Sequence, residues 1–134
     1  MISAISPVSF GDLSVTYYEN GSKVVESFKN DKKVKRLVYD EQDRIVDSVN
    51  FDKFGKKLSH QHKTFTKTGC IESFKDFNQE YVRETELIIE PPLKHFLEKF
   101  TSISSPDKSY IAEFIRTMEN RLVKIIINGK IINV

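Results

Sequence analysis

Apolar and polar residues alternate in short runs, broken by turn-forming residues, through the first two thirds of the chain. Leu13, Val15 and Tyr17 fall on one face of an extended segment and Ser14, Thr16 and Tyr18 on the other. Asn20-Gly21 then offers two residues suited to the positive φ angles of a type I′ hairpin turn. Returning strands are expected over Lys23 to Phe28, Lys33 to Tyr39, Ile45 to Phe51, Lys57 to Phe65, Cys70 to Phe77 and Tyr81 to Ile89, with turns near Asn30, Asp43, Gly55, Gly69 and Asn78. Such turns are too short for parallel crossovers, so residues 13–89 predict an antiparallel β-meander of about seven strands. In the 57–65 run His60, His62 and Thr64 share a face with Leu58, which leaves no clean apolar side and suits an edge or an exposed part of the sheet. Residues 1–12 hold Pro7 and Gly11 and show little periodicity. They read as an extended or disordered arm, whose Ile2, Ile5, Val8 and Phe10 are available to pack over the sheet edge.

Beyond Ile89 the pattern changes. Pro91-Pro92 is expected to end the last strand, because proline brings no donor to a ladder and restricts the residue before it. Leu93, Phe96, Leu97 and Phe100 then recur at i, i+3, i+4 and i+7, the apolar stripe of a short helix. Ser105-Pro106-Asp107 is a helix-start signature, followed by Tyr110, Ile111, Phe114, Ile115 and Met118 on one broad face. Two helices within 93–121 need an apolar partner, and the meander supplies one. The expected fold is therefore α+β: one domain over 1–134, a meander packed on two C-terminal helices and followed by a C-terminal β-hairpin over 122–134. That hairpin turns at Asn128-Gly129 and carries isoleucine on both faces. It calls for cover on both sides or for a second chain, which makes a homodimer through this hairpin an expectation.

Composition narrows the picture. The chain has 134 residues, 39% hydrophobic and 30% charged, with ten Phe and five Tyr, which suits one folded domain rather than a disordered chain. A formal charge of +2 sets up no global field toward nucleic acid or membrane. Its distribution is uneven: residues 22–67 hold twelve Lys/Arg against seven Asp/Glu, and residues 68–107 hold four against eight, so one end of the sheet is expected to be basic and the other acidic. The lone Cys70 has no internal disulfide partner. There is no basic leader, and no stretch approaches the ~20 apolar residues of a membrane span. A cytoplasmic protein is expected, with a secreted or delivered protein stripped of its leader as the alternative.

Few residues invite chemistry. His60-Gln61-His62 places two imidazoles on one strand face, yet a zinc site needs three or four ligands, and the nearby candidates are Cys70, Asp52 and Asp76. Solvent-facing histidines are the favoured reading, and neither a metal nor a cofactor is expected. Cys70 sits at a turn and reads as an ordinary turn residue rather than a nucleophile. Glu84 and Glu86, with Glu72 and Asp76, read as a solvated sheet face. Phosphate-binding glycine loops, serine elbows and dinucleotide fingerprints are missing. No catalytic residue is assigned, and a non-enzymatic role is expected.

An aromatic residue, a short polar turn and a strand recur from Tyr17 to Arg83. The skeleton is clearest in Tyr39-Asp40-Glu41-Gln42-Asp43-Arg44-Ile45 and Phe51-Asp52-Lys53-Phe54-Gly55-Lys56-Lys57-Leu58. Over residues 17–77 it resembles the tyrosine-aspartate (YD) repeats of bacterial surface and toxin-delivery proteins, and Tyr17-Tyr18-Glu19-Asn20-Gly21 is similar to the turns of MORN-like repeats. Asp43 stands where such repeats usually carry glycine, and Thr66 where aspartate is usual. The resemblance implies a bacterial, non-enzymatic β-rich scaffold and transfers no functional residue.

Three roles follow from these readings. The first is a protein-interaction or scaffold module that uses the sheet face left uncovered, with another protein as partner. The second is a carrier of small apolar ligands, with a pocket between sheet and helices lined by Phe74, Phe77, Phe96, Phe100 and Phe114. The third and least favoured is weak single-stranded nucleic-acid binding through the basic turn at 28–39, where Lys32, Lys33, Lys35 and Arg36 cluster with Lys29 between Phe28 and Tyr39. Lysines that blunt an exposed sheet edge are the plainer explanation of that cluster.

Overall fold

The computed structural model describes residues 4–10 and 12–133, with side chains from Asp12 onward. These residues form twelve strands: β1 (Ala4–Phe10), β2 (Leu13–Tyr18), β3 (Lys23–Lys29), β4 (Lys32–Tyr39), β5 (Ile45–Phe51), β6 (Lys57–Phe65), β7 (Gly69–Asp76), β8 (Glu80–Glu90), β9 (Leu93–Ser102), β10 (Tyr110–Thr117), β11 (Leu122–Ile127) and β12 (Lys130–Ile132). Contacts divide the chain into two compact units, Met1–Lys63 with Phe74–Phe77 and Thr64–Ser73 with Asn78–Val134. In the first unit β1 to β6 pair antiparallel in chain order. In the second, β8 to β12 do the same. The antiparallel meander expected from alternation and turn length is thus present. The segment expected as an arm contains β1, paired with β2; the expected packing of Ile2, Ile5, Val8 and Phe10 lies outside the described residues.

One turn geometry recurs. At 18–22, 40–44, 52–56 and 117–121 the first residue's N–H donates to the fifth residue's carbonyl, and the fourth residue's N–H donates back to the first residue's carbonyl. The fourth residue is left-handed each time: Gly21 (φ 91°), Asp43 (φ 63°), Gly55 (φ 83°) and Asn120 (φ 69°). These are residue types that reach positive φ at low cost. Asp40 and Asp52 close their turns further, each carboxylate accepting from the N–H two and four residues on, at 2.8–2.9 Å. Those bonds, first of all the one from the Arg44 N–H, hold Asp40 below the usual carboxylate range. The aspartate after the aromatic residue is therefore a turn-closing group.

The helices are a correction. Leu93 to Phe100 lies in β9 and Tyr110 to Thr117 is β10; the only helical turn among the described residues is a 3₁₀ turn at Pro106–Lys108. A spacing of three and four residues is also produced by a strand that is apolar on both faces. Phe96 and Phe100 lie on one face of β9 and Leu93 and Leu97 on the other, while β10 puts Tyr110 and Phe114 opposite Ile111 and Ile115. Ladder partners on both flanks then decide between the two readings. Pro91-Pro92, joined by a cis peptide, forms the tight link of the β8–β9 hairpin rather than an end to the sheet. The Ser105 signature is used within a single turn, the hydroxyl bonding Asp107 Oδ1 at 2.7 Å instead of capping a helix.

With no helices, the expected two-layer core is replaced. Among the described residues, contacts within each unit join strands adjacent in the ladder, plus the 3₁₀ turn on β9. Buried hydrophobic side chains are few and small: Val15, Val24 and Val49 in the first unit, Ala112 and Ile115 in the second. Their cover comes from neighbours in the sheet. Val49, 4% exposed, lies between Arg36 on β4 and His60 on β6 in the cross-strand register. Long side chains lying along a sheet shield a short one in this way.

Two glycines separate backbone strain from steric exclusion. At Gly55 an added Cβ meets nothing within 4 Å but the φ is +83°, whereas at Gly69 it lands 1.8 Å from the Thr85 carbonyl oxygen. Gly55→Ala is expected to cost about 1 kcal/mol, and Gly69→Ala about 3 kcal/mol by forcing β7 off β8. Urea midpoints measure both, and equal losses would contradict the close approach. In the last hairpin Asn128 (φ 51°) and Gly129 (φ 79°) form the turn, and the Asn128 side chain accepts from the Ile111 N–H at 2.9 Å. Replacing both by alanine is expected to lower stability by about 1 to 2 kcal/mol; an unchanged denaturation midpoint would count against that turn.

Candidate functional site

Register builds the surfaces. On one face of the second unit, Leu87, Phe96, Phe114, Ile125 and Ile132 lie directly opposite one another across β8 to β12. The Phe96 and Phe114 rings are 6.3 Å apart. A second row on the same face runs Arg83, Phe100, Tyr110, with Tyr81 two residues along β8 from Arg83. Phe100 stacks on Tyr110 at 5.4 Å and meets Tyr81 at 5.0 Å. The Arg83 guanidinium lies 5.4 and 5.6 Å from the Tyr81 and Phe100 ring centres, a cation–π arrangement that also covers its buried Nε. Glu72 approaches Arg83 at 3.7 Å.

The two faces differ in charge. Arg83, Lys94, Arg116 and Lys130 share the aromatic face with Glu98, whose carboxylate takes the hydroxyl of Tyr110. On the opposite face Glu84, Glu86, Glu90 and Glu113 lie among Leu97, Ile111, Ile115 and Ile126, together with Lys99 and Lys124. His95 bonds Glu113 there at 2.6 Å. One side is aromatic and cationic, the other aliphatic and acidic.

In the first unit His60 and His62 share a face, as their spacing requires, and the carboxylate between them is Asp47, at 2.6 Å from His60 and 4.0 Å from His62. Asp47 lies directly across from His62 on β5, a neighbour that sequence distance conceals. Among the described residues no group of three or more histidines, cysteines or carboxylates is placed to hold a metal ion. Comparison of the chain with family models, curated proteins and solved structures gives no match.

The remaining site residues are dispersed. Lys35 lies opposite Ser27 and Asn50, and its neighbour Arg36, opposite Glu26 and Val49, points to the other face. Lys33 is paired with Glu26, and Lys32 donates to the Lys53 carbonyl at 3.1 Å. Of the five phenylalanines expected around a ligand, Phe96, Phe100 and Phe114 share the aromatic face of the second unit, while Phe74 and Phe77 belong to the first. The cavity expected between sheet and helices has no second wall, because the helices do not exist. The aromatic rows themselves escaped sequence reading. Phe100, Tyr110 and Tyr81 meet only once strand register is known.

The Tyr110 hydrogen bond to Glu98 raises the phenol above its ordinary value of 10.0, helped by desolvation and by the Glu98 charge and opposed by Arg83. A raised folded value means that the stabilisation is complete below the unfolded value and is lost as pH rises through the folded one. The stability difference between the native protein and Tyr110→Phe is therefore expected to hold at neutral pH and to shrink above about pH 10. Urea midpoints at stepped alkaline pH test this; a constant difference across that range would show that the bond does not govern the titration.

Proposed function

We propose that the protein is a non-enzymatic interaction scaffold whose contact surfaces are the two faces of the β8–β12 sheet. The observation that carries the reading is the apolar row from Leu87 to Ile132, in which Phe96 is 37% exposed and, among the described residues, no second layer of the same unit is packed over it. Aromatic residues and arginine at the centre with polar groups around them is the composition of protein contact sites. The partner best matched to a cationic, aromatic face is an apolar surface bearing carboxylates. The opposite face of the same unit has that character, so a second copy of the chain is the first occupant. Isoleucines of β11 and β12 contribute to both faces, which carries the expected association through the C-terminal hairpin onto the faces.

A contact between unlike faces leaves one of each free and can propagate. Sedimentation velocity from about 1 µM to about 1 mM is expected to show growing assemblies that shrink with added salt. Phe96→Asp blocks the aromatic face and Ile131→Asp, at a residue 57% exposed on the acidic face, blocks the other. Each variant alone is expected to remain monomeric, and an equimolar mixture to stop at dimers. Native protein that stays monomeric throughout, or Ile131→Asp that assembles like the native chain, would rule out this contact.

A further inference from the structure

We infer that one end of the first unit, formed by its lysine-rich hairpin turns, binds single-stranded nucleic acid. The β3–β4 turn and the β5–β6 turn lie at the same end of the antiparallel ladder, and the Lys32 ammonium donates to the Lys53 carbonyl across them. The β5–β6 turn has a groove on each side. One, of about 450 Å³, is lined by Lys32, Lys33, Phe51, Lys53, Phe54 and Gly55. The other, of about 610 Å³, is lined by Lys56, Lys57, Leu58, Lys75 and Phe77 together with the carboxylates Asp52 and Asp76, three ammonium groups against two carboxylates.

Phe54 is 81% exposed and Phe77 98% exposed, more than any other large hydrophobic side chain among the described residues. Rings left in water add nothing to the fold, and both lie where lysines converge. Lys53 sits 5.2 Å from the Phe54 ring centre. Among the described residues, no salt bridge engages Lys53, Lys56, Lys57 or Lys75. Asp52, the carboxylate within the β5–β6 turn, is directed at the Phe54 and Lys56 N–H groups at 2.8 and 2.9 Å.

Ammonium groups beside an exposed ring match a chain of phosphates with a base face next to each: the phosphates contribute charge and the ring stacks any base. An anionic lipid surface would take the same lysines. It favours apolar side chains gathered into one wedge, however, and here the two rings stand on opposite sides of the Asp52–Lys56 turn. Two separate rings, each in its own groove, fit one base apiece. The basic cluster expected at 28–39 thus contributes Lys32 and Lys33, the latter paired with Glu26, to the site, while Lys35 and Arg36 diverge onto opposite faces of the sheet.

The test is fluorescence anisotropy of a labelled oligothymidine of about twelve nucleotides, beside cosedimentation with phosphatidylserine-containing vesicles. With about three phosphate contacts, binding is expected to weaken by about 20-fold between about 50 and 200 mM salt. Phe54→Ala and Phe77→Ala are each expected to weaken binding by about 5- to 150-fold with the salt slope unchanged. Lys57→Gln should instead lower the slope by about 0.7. Both rings are so exposed that their removal leaves the thermal transition in place. Absence of oligothymidine binding at the lower salt, native affinity in both phenylalanine variants, or vesicle binding without oligothymidine binding would each overturn the proposal.

Discussion

Pairing between neighbouring strands carries each unit, because among the described residues no second layer within the unit takes up the apolar faces. A cross-strand pair contributes only about 0.2 to 1 kcal/mol, so stability has to come from many pairs in register rather than from a few deeply buried side chains. The burial pattern agrees: among the described residues Val15, Val24, Val49, Ala112 and Ile115 are the buried hydrophobics, and the phenylalanines, which would dominate a two-layer core, stay partly in water. Register is then the quantity the molecule must protect, since a slip of one residue reverses both faces. The recurring turns protect it. Each fixes its hairpin with two backbone bonds and one left-handed residue, and Asp40 and Asp52 add side-chain bonds from their carboxylates to the turn N–H groups.

The same dependence separates the faces chemically. Because strands alternate their side chains, a sheet without cover has to be compatible with water on both sides or with a partner on at least one. The first unit takes the former course, with Glu26, Arg36, His60 and Asp47 among the valines of one face. Lys23 binds Asp43 at 3.0 Å and lies 4.7 Å over the Tyr39 ring, tying β3 to the β4–β5 turn by charge and by ring. In the second unit Glu84, Glu86, Glu90 and Glu113 gather on one face and the arginines and aromatic rings, with Glu98, on the other. Like charges keep identical faces apart, while unlike faces attract.

Strand positions were legible in the sequence wherever alternation coincided with a turn residue of known habit. Asn20-Gly21, Gly55 and Asn128-Gly129 all mark hairpins, and the strands between Leu13 and Ile89 fall where alternation places them. Leu93 to Met118 imitates a helical pattern for a physical reason. Apolar residues two faces deep repeat at spacings of three and four, and nothing local distinguishes that from a helix stripe; the non-local ladders of β8, β9 and β10 do. The candidate surfaces were less legible still. Arg83, Phe100 and Tyr110 are separated by seventeen and ten residues in the chain and become neighbours through two registers. Lys32 and Lys53 meet because two turns share one end of the ladder, whereas the run from Lys32 to Arg36, which looks like a patch in sequence, is divided between faces by alternation.

In the proposed association, the isoleucine hairpin favours contact by faces over contact by edges. β12 is three residues long and begins with Lys130. An added strand would gain at most about three ladder bonds there, each worth a net 0.5 to 1.5 kcal/mol, and short edges with lysine are poor templates. Ile125 lies opposite Ile132, and Ile126 opposite Ile131, so the hairpin lengthens the apolar rows of both faces. Strands β8 to β11 span about 20 Å across and about 25 Å along, on the order of 500 Å² in projection, and side-chain relief raises the accessible area toward the ~800 Å² per partner of stable interfaces. At about 25 cal/mol per Å² of apolar surface the face offers several times what the edge does, enough to meet the cost of joining two chains where three hydrogen bonds are not. The residues that make the last hairpin hydrophobic on both sides thereby serve the faces, and the shortness of β12 keeps the edge from competing with them.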